Sequence, residues 1–483
     1  LIHTNYLYAK SPADGANERL KLRKISLIIL STTVMAAIAG LAVVKIAENS
    51  PSKSEPPTKS AATQATQIEP EPEKPKKPEK QFMEVRGLHV TGWIAGGKKS
   101  FGKLVDLVNE TELNALCIDI KDSDGVLSYD TDVPLAREIK ASRHAIGDID
   151  YVMKTMEENN IYPIARIAVF KDPIIAKMKP ELAVTSTKGG IWLDRHRTGW
   201  ANPYKKEVWD YNIDIAIDVA KRGFKEIQWD YVRFPSDGPI STCVYPGKDG
   251  RNQSEVIQDF LEYARKRLEP YGVVISADIF GLTSLTTHDM GIGQTVRMIA
   301  ENVDYICPMV YPSHYAKYEY GIPHPNAAPY QTVRYSLGDH LEEVEGTKAK
   351  VRPWLQDFSL YGVHYGRDEV IAQRKAAAEM GVTEFLLWNP RCVYTKSALS
   401  SDPNKPPKEI EAALKAAPFR VVLKTTGPNK ESIRAIVEKS TGKEKADRIL
   451  SSLPNPVASN LTWKQASQLA KEFRDSGATV DIR

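Results

Sequence analysis

Between Glu84 and Asp402, short apolar runs alternate with longer amphipathic stretches. Eight of these runs have the nearly continuous apolar character of parallel strands that are covered on both faces of a sheet. The predicted strands are Leu88–Ile94, Ala115–Ile120, Tyr162–Val169, Glu226–Val232, Val273–Ile279, Tyr305–Val310, Val351–Gln356 and Glu384–Trp388. The predicted helices between them are Phe101–Glu112, Arg143–Asn159, Pro203–Arg222, Gln253–Glu269, Ile292–Glu301, Gln331–Glu345 and Arg367–Met380.

Eight strand–helix units in roughly 320 residues predict an α/β fold, a (β/α)8 TIM barrel over residues 83–405. The alternative is an open, doubly wound sheet. Such a sheet would be expected to carry a Gly-rich phosphate-binding turn after its first strand. Gly96 and Gly97 stand there without the GxGxxG spacing, which favours the barrel.

The pattern changes again over residues 418–483. FRVVLKTTG indicates a strand, and NKESIRAIVEKSTG and KEKADRILSSLP indicate two short helices. A third helix is predicted after Thr462, because threonine caps helix N-termini, and TVDIR indicates a final strand. We therefore expect a separate, small α+β domain with the order βααα-β, joined to the barrel through the Pro-rich segment NKPPKE.

The N-terminal region contains an uncharged apolar stretch, Ile25–Val44. At about 1.5 Å per residue it is long enough to cross a hydrocarbon core of roughly 30 Å. Lys21, Arg23 and Lys24 precede it, so the positive-inside rule predicts that residues 1–24 are a cytoplasmic tail and that the bulk of the chain is extracytoplasmic. We expect residues 25–47 to be the signal anchor of a single-pass cell-membrane protein. The alternative is a cleaved signal peptide, for which the run is long.

Residues 48–82 are rich in Pro, Ser, Thr, Glu and Lys and offer almost nothing to bury. This composition predicts a disordered, extended linker. Such a linker after a membrane anchor would hold the barrel away from the bilayer.

Composition and charge exclude several classes of function. The formal net charge of +4 on 483 residues is small and is not gathered into one stripe, so we expect no nucleic-acid partner. The four cysteines lack metal-ligand spacing, and no Walker loop, HExxH or GxSxG motif is present, so we expect no cofactor and no metal. The run DSDG at residues 122–125 leaves calcium open as an alternative, although the other elements of a calcium loop are missing.

Candidate chemistry lies at the C-terminal ends of the strands, where this class of barrel carries its functional groups. Aspartates recur there on the second, fourth, fifth and seventh strands. Hydrolysis of a glycosidic bond needs two carboxyl groups with different pKa values, one to protonate the leaving oxygen and one to act as nucleophile or base. Asp230 and Asp278 follow neighbouring strands, and we interpret them as the catalytic pair. The sequence leaves retaining and inverting mechanisms open.

Other polar and aromatic residues near strand ends are candidates for substrate binding, because sugars offer both hydroxyl groups and flat apolar faces. They are Trp93, Asp119, Asp122, Arg166, Arg233, Tyr311, His314, Gln356, Asp357, Trp388 and Asn389. For each of them the competing interpretation is a structural role in the core, a helix cap or a loop. Arg233 lies three residues after Asp230 and is expected to keep that carboxylate ionised.

Several segments in this region resemble, in order, a bacterial family of glycosyl-hydrolase barrels found on exported proteins. They are EVRGLHVTGW, ALCIDIKDSDG, IARIAVFKD, IQWDYVRFPSDG, ISADIFG, ICPMVYPSHY and LLWNP. The resemblance implies a TIM barrel and glycoside hydrolysis. More distantly, the position of Asp230 is similar to that of the nucleophile in the alpha-amylase clan. Asp278 stands where that clan carries a Glu as the acid.

The tail segments FRVVLKTTGPNKESIRAIVEKSTG and SGATVDIR resemble the C-terminal domain of the ribosomal stalk protein of the large subunit. This resemblance implies the fold of that domain and an interaction role, hence a protein partner for the tail.

Together, these patterns predict an exported, membrane-anchored glycoside hydrolase that cleaves a cell-surface or environmental polysaccharide. Two alternatives stay open. A non-catalytic carbohydrate-binding barrel would keep the aromatic residues without a productive carboxylate pair. A structural envelope interaction protein would have no deep cleft at the strand ends.

Overall fold

The computed structural model describes residues 78–286 and 288–483. The expected cytoplasmic tail, the anchor at 25–47 and the linker as far as residue 77 lie outside the described residues. Within the described ranges, none of the helices combines the length and the apolar character that a membrane span requires.

Eight parallel strand positions close into a barrel, which confirms the predicted fold class. Their bounds are β1 Arg86–Val90, β2 Ala115–Lys121, β3 Tyr162–Ala168, β4 Glu226–Asp230, β5 Val274–Phe280, β6 Tyr305–Val310, β7 Lys350–Val351 together with Trp354–Gln356, and β8 Phe385–Trp388. β8 pairs with β1, and β7 pairs with both β6 and β8, so the sheet is closed. The seventh strand is broken at Pro353, which has no N–H to give to a strand ladder.

Helices cover the outside of the barrel. Their bounds are α1 Gly92–Gly96, α2 Lys98–Asn109, α3 Pro134–Glu138, α4 Ile149–Glu158, α5 Pro173–Met178, α6 Lys206–Lys221, α7 Gln253–Leu268, α8 Val296–Ala300, α9 Pro329–Glu343, α10 Arg367–Glu379 and α11 Lys408–Leu414. The seven predicted helices correspond to α2, α4 and α6 to α10, with shifted ends. The short helices α1, α3 and α5 lie in the loops that follow β1, β2 and β3, and they were not predicted.

Alternation along the strands creates two buried layers, because successive side chains point to opposite faces. Outward side chains pack under the helices: the Trp229 ring centroid lies 5.4 Å from that of Phe260 on α7. Inward side chains, among them Cys117, Ile164 and Trp354, form a second cluster inside the barrel. Burial of each large apolar side chain stabilises the fold by roughly 1.5–3 kcal/mol.

The first strand ends earlier than predicted, which corrects the position of Trp93. The chain leaves the sheet at Val90, and the Thr91 side chain accepts a hydrogen bond from the Ile94 N–H and so caps α1. Gly92 sits against Ser128 so closely that a Cβ there would lie 2.1 Å from the serine Oγ. Trp93 therefore lies on α1 rather than at a strand end, and it is 70% exposed.

The base of the barrel is in contact with residues 78–82, which belong to the expected linker. Lys80 forms an ion pair with Asp304 at 2.5 Å, and the ring centroids of Phe82 and Tyr305 are 6.5 Å apart. These contacts are made at the N-terminal ends of the strands, opposite the end that carries the predicted catalytic residues.

The tail contains an antiparallel sheet of three strands with helices on it. The elements are β9 Phe419–Thr425, α12 Lys430–Thr441, α13 Lys443–Ser451, β10 Asn455–Leu461, α14 Trp463–Asp475 and β11 Thr479–Ile482. The predicted order βααα-β is wrong because it omits β10. β10 contains Pro456 and lies at the sheet edge, where proline is tolerated, so its sequence NPVASNL gives a weak strand pattern. Thr462 caps α14, as predicted.

Candidate active site

Four charged side chains from four neighbouring strands meet inside the barrel near its C-terminal end. They are Asp119 on β2, Arg166 on β3, Asp230 on β4 and Asp278 on β5, and each is at most 5% exposed. The strand register brings them together, because Asp119 lies opposite Arg166 and Arg166 lies opposite Gln228, two residues before Asp230.

Arg166 holds the three carboxylates in place. Its Nη1 donates to Asp119 Oδ1 at 2.5 Å, its Nη2 donates to Asp230 Oδ2, and its Nε lies 3.7 Å from Asp278 Oδ2. One face of the guanidinium lies 5.0 Å from the centroid of the Trp388 ring. Because a guanidinium is planar and directs its donors along fixed lines, Arg166 sets the arrangement of the carboxylates around it.

Asp278 is the most enclosed of these carboxyl groups, with 1% of its surface exposed. Its Oδ1 accepts hydrogen bonds from Gln228 Nε2 at 2.5 Å and from Trp354 Nε1 at 2.7 Å. Burial and the nearby charge of Asp230 raise the pKa of Asp278 well above its ordinary value.

Asp119 has a second cationic partner in His89. The His89 Nε2 lies 2.8 Å from Asp119 Oδ2, and the imidazole stacks on Trp388 with centroids 3.8 Å apart. Burial opposes the charge on His89, but the Asp119 carboxylate raises the pKa of His89 to about 9. Burial likewise opposes ionisation of Asp119, while His89 and Arg166 lower the pKa of Asp119 to about 2.

The cluster therefore contains three carboxyl groups and two cations, Arg166 and the protonated His89. A buried site of low polarity disfavours net charge. Among the three carboxyl groups, Asp278 is the one whose pKa is raised by burial and by the charge of Asp230. The geometry thus places a carboxyl group with a raised pKa on β5 next to Asp230 on β4, which is paired with Arg166.

The chain turns sharply after Asp230. Tyr231 has a φ of 46°, in the left-handed region, and its N–H donates to Asp230 Oδ1 at 2.5 Å. Backbone strain of this kind costs roughly 1–3 kcal/mol and is concentrated at functional sites. Arg233, expected to hold Asp230, donates from Nη1 to the Phe234 carbonyl at 2.9 Å, while the ion pair to Asp230 is formed by Arg166 of β3.

Two further predicted residues lie at the mouth of the barrel beside Trp388. The ring of Tyr311 is 6.3 Å from that of Trp388 and 5.4 Å from that of His314. Burial lowers the pKa of His314 to about 4, so this histidine is neutral near pH 7. These rings give the mouth an apolar wall on the side of β6 and β8.

Other predicted binding residues are engaged with the chain itself. Asp357 accepts hydrogen bonds from the Thr395 N–H at 2.8 Å and the Thr395 hydroxyl at 2.6 Å. Asn389 donates to the carbonyl oxygens of Asp357 and Val393. These two side chains fix the loops that follow β7 and β8 to each other.

Gln356 and Asp122 are also tied to nearby backbone. Gln356 accepts from the Ser313 N–H at 3.1 Å and donates to the Phe358 carbonyl at 2.9 Å. Asp122 accepts from the Ser123 N–H at 2.6 Å, and its pKa is raised by burial and by the charge of Asp119.

Sequence reasoning missed His89 and Gln228 as parts of the site. The signal was the two-residue alternation: in EIQWD, Gln228 shares a face with Asp230, and His89 shares the inward face of β1. The strand register shifts between Asp119 and Lys121 at the end of β2, so Lys121 points out of the barrel instead of sharing the face of Asp119. It forms a buried ion pair with Asp172 at 2.7 Å outside the barrel.

Among the described residues, two of the clefts beside the barrel are lined by none of the four charged residues. One of about 280 Å³ lies at the N-terminal ends of the strands, near Arg86 and Arg374. The other, of about 580 Å³, lies on the opposite end between α1, α2 and the loop after β8. In the part of the chain that the structure describes, no group of three or more His, Cys, Asp or Glu side chains is arranged to hold a metal ion.

Closed parallel strands, covering helices and interior carboxyl groups at the C-terminal end define the class of (β/α)8 barrels to which many glycoside hydrolases belong. Residues 87–394 match the family described as "Putative glycosyl hydrolase domain". The match covers more than half of the chain, so the chain belongs to this family.

Solved structures and curated proteins add further similarities. A hypothetical protein from Ruminiclostridium thermocellum is 44% identical over 40% of this chain and 96% of its own, with a TM-score of 0.37. The PgaB (BpsB) glycoside hydrolase domain from Bordetella bronchiseptica is 14% identical, over 65% and 99% of the two chains, with a TM-score of 0.49. The tail is similar to large ribosomal subunit protein bL12 from Geotalea uraniireducens, 32% identical over 79 residues. That match covers 16% of this chain and 63% of the ribosomal protein, less than two thirds of its length.

Proposed function

We propose that the barrel hydrolyses glycosidic bonds and that Asp230 and Asp278 are its catalytic carboxyl groups. The observation that carries this proposal is the different environment of two carboxyl groups on neighbouring strands. Arg166 pairs with the Asp230 carboxylate, as suits a nucleophile or base, whereas burial and the nearby charge of Asp230 raise the pKa of Asp278, as suits a proton donor. Glycoside hydrolysis requires one group of each kind.

In the proposed reaction, Asp278 donates a proton to the glycosidic oxygen as the bond to the anomeric carbon breaks. If Asp230 attacks that carbon, Asp278 then takes a proton from a water molecule whose oxygen displaces Asp230 from the sugar, which restores both groups. If Asp230 instead takes the proton of the attacking water, it passes that proton to solvent, and Asp278 takes one back from solvent. Trp388 and Tyr311 form the apolar wall against which a sugar ring would pack.

A non-catalytic carbohydrate-binding barrel is the second candidate, and one observation favours it. The carboxylates are already satisfied by side chains of the protein: Arg166 pairs with Asp119 and Asp230, and Gln228 and Trp354 donate to Asp278. In that case the cluster would stabilise the barrel, and sugars would bind only to the rings at its mouth.

The test uses Asp230→Asn and Asp278→Asn, each compared with Asp214→Asn on the outer surface of α6. The proteins are incubated with a panel of neutral, amino-sugar and uronic-acid polysaccharides, and new reducing ends are measured. We expect each active-site substitution to lower turnover by about a thousandfold or more, equivalent to roughly 4 kcal/mol of transition-state stabilisation. Wild-type turnover in a well-folded Asp230→Asn protein would remove Asp230 from the catalytic pair. Glycan binding without turnover by the wild type would favour the binding barrel.

The remaining proposals concern location and partners. The apolar stretch Ile25–Val44 and the basic residues before it support an anchored, single-pass protein whose barrel acts outside the membrane. The similarity to bL12 supports an interaction role for the tail with a protein partner. Fractionation tests the first of these. Recovery of the protein in the soluble fraction, with an N-terminus beyond residue 47, would contradict the anchor.

A further inference from the structure

A cleft beside the barrel mouth has a strongly basic lining. It has a volume of about 580 Å³ and lies between the N-terminal end of α2 and the loop that follows β8. Lys98, Lys99 and Lys103 contribute from α2, and Arg391 contributes from the loop. All four are exposed at the surface, and the described lining residues include no carboxylate.

The positive charge of this cleft is not neutralised by nearby ion pairs. Among residues 78–286 and 288–483, the ion pairs within 4.0 Å include none made by Lys98, Lys99, Lys103 or Arg391. By contrast, Lys396, a few residues further along the same loop, pairs with Glu110. Four cations in a concave surface raise the local concentration of anions and attract anionic ligands.

The backbone adds to this field. Gly97 precedes α2 and has no side chain to accept hydrogen bonds from the first N–H groups of the helix. Those N–H groups carry the positive end of the helix dipole, which adds to the side-chain charges. The Ser100 hydroxyl donates to the carbonyl oxygens of Ile94 and Gly97 and so fixes the turn between α1 and α2.

The cleft lies next to the candidate active site, because residues at the cleft follow the C-terminal ends of β1 and β8. Cys392, which lines it, accepts a hydrogen bond from the Thr91 N–H at 3.4 Å. Thr91 follows β1, which carries His89, and Cys392 lies four residues beyond Trp388 of β8. Since His89 and Trp388 stack on each other, the cleft lies immediately behind this wall of the mouth.

An exposed aromatic ring accompanies the basic cleft. Trp93 lies on α1 between the capping residue Thr91 and Ile94, which lines the cleft, and it is 70% exposed. An exposed aromatic side chain one residue before a residue of the cleft lining suits a sugar ring, whose apolar face would pack on the indole while an anionic substituent reaches the lysines.

We infer that this cleft binds an anionic group of a polysaccharide, so that the barrel acts on glycans that carry carboxylate or phosphate substituents. The inference deepens the proposed function and rests on it, because the ligand is taken to be the glycan that reaches the mouth. The substituted sugar occupies the cleft, and a neighbouring sugar of the same chain extends towards Trp388.

The experiment measures binding of three probes with the same backbone: dextran, carboxymethyl-dextran and phosphorylated dextran. Each is tested by affinity electrophoresis with the full chain at low and at moderate salt. The cleft variant carries Lys98→Gln, Lys99→Gln and Arg391→Gln. The control variant loses the same number of exposed charges on the tail, through Lys443→Gln, Lys445→Gln and Lys464→Gln. All of these side chains are on the surface, so both variants are expected to fold.

We expect the wild type to bind one or both anionic dextrans about tenfold more tightly than neutral dextran. This difference in affinity should become smaller as the salt concentration rises. The comparison of the carboxymethyl and phosphorylated probes identifies the anion. The cleft variant should lose most of this preference, and the control variant should keep it. Equal binding of the cleft variant and the wild type would overturn the inference, as would equal losses in the two variants.

Two further outcomes separate this inference from the proposed hydrolysis. If no glycan is cleaved and the cleft-dependent binding persists, hydrolysis fails and anion recognition stands. If neutral glycans are cleaved and anionic ones gain nothing from the cleft, the inference fails and hydrolysis stands. The last measurement is binding of the wild type and the cleft variant to vesicles of phosphatidylglycerol. Binding to them that depends on the cleft, with none to the dextrans, would make the cleft a membrane contact and overturn the inference.

Discussion

The barrel interior contains a buried charged cluster at each end, and β4 contributes to both. At the base, Glu226 forms an ion pair with Arg352, and both are fully buried. The Glu226 carboxylate also accepts a hydrogen bond from the Ser276 hydroxyl at 2.5 Å, and the Arg352 guanidinium lies 4.1 Å from the centroid of the Tyr305 ring. Near the mouth, Asp230 belongs to the cluster of three carboxyl groups around Arg166.

The difference lies in the environment of the acids. The base pairs the Glu226 carboxylate with the Arg352 guanidinium. The mouth has three carboxyl groups and two cations, and burial with the charge of Asp230 raises the pKa of Asp278. A buried ion pair stabilises the fold, whereas a buried carboxyl group with a raised pKa is suited to donate a proton.

The largest effect is expected from removal of the central cation at each end. Arg166→Met leaves Asp119 and Asp230 buried with one partner fewer, and Arg352→Met leaves Glu226 without its cation. Each should lower the free energy of unfolding by roughly 3–5 kcal/mol, measured by urea denaturation. Only Arg166→Met should also abolish glycan hydrolysis in the fraction that remains folded. Loss of hydrolysis in folded Arg352→Met protein would contradict a purely structural role for the ion pair at the base.

A second comparison uses the pH dependence of stability. The folded-state pKa of Asp278 is raised, so the folded state binds the proton more tightly than the unfolded state. The wild type therefore loses stability as pH rises above the unfolded value near 3.9, by up to about 1.4 kcal/mol per pH unit. Asp278→Asn has no ionisable group at this position. Its free energy of unfolding relative to that of the wild type should therefore increase as pH rises from 4 to 7.

Glu226→Gln is the matched control for Asp278→Asn at the base. It leaves Arg352 buried without its carboxylate, so it should destabilise the protein. Chemical denaturation at several pH values distinguishes the two substitutions. A relative stability of Asp278→Asn that stays constant between pH 4 and pH 7 would argue against a protonated Asp278.

The smallest effect is expected for the two buried histidines, whose pKa values move in opposite directions. Asp119 raises the pKa of His89 to about 9, so its contribution is complete below pH 6.5 and is lost as pH rises through about 9. Burial lowers the pKa of His340 to about 4, so its contribution is complete above pH 6.5 and is lost as pH falls through about 4.

His89→Gln should therefore remove roughly 3 kcal/mol of pH-dependent stability on the alkaline side, and His340→Gln should do so on the acidic side. Thermal melting across pH 4 to 10 measures both effects. If both variants lost pH dependence in the same range, the ion pair between His89 and Asp119 would not be the cause.

Much of the fold was predictable because barrel strands are short, buried on both faces and separated by amphipathic helices. β6 was predicted with its observed bounds, and β2 and β3 were each within one residue. The misses occurred where local signals were weak or misleading. Thr91 caps a helix inside an apolar run, and β10 is an edge strand that contains Pro456.

The candidate site was only partly predictable. The placement of Asp119, Asp230 and Asp278 at the ends of barrel strands predicted that they face one region, because all the strands of a parallel barrel end on the same side. The central position of Arg166 and the participation of His89 did not follow from the sequence. Both depend on the register between neighbouring strands, which a single chain does not reveal.

The sequence by itself determined the class of the fold and the end of the barrel at which acidic residues gather. The spacing of apolar residues suffices for this, with a period of about two residues in strands and about 3.6 in helices, because it indicates which faces must be buried. Tertiary structure alone decided which carboxyl group has a raised pKa. The pKa of Asp278 depends on its burial and on the charge of Asp230, which lies on another strand, and these are properties of distances across the barrel rather than of neighbours along the chain.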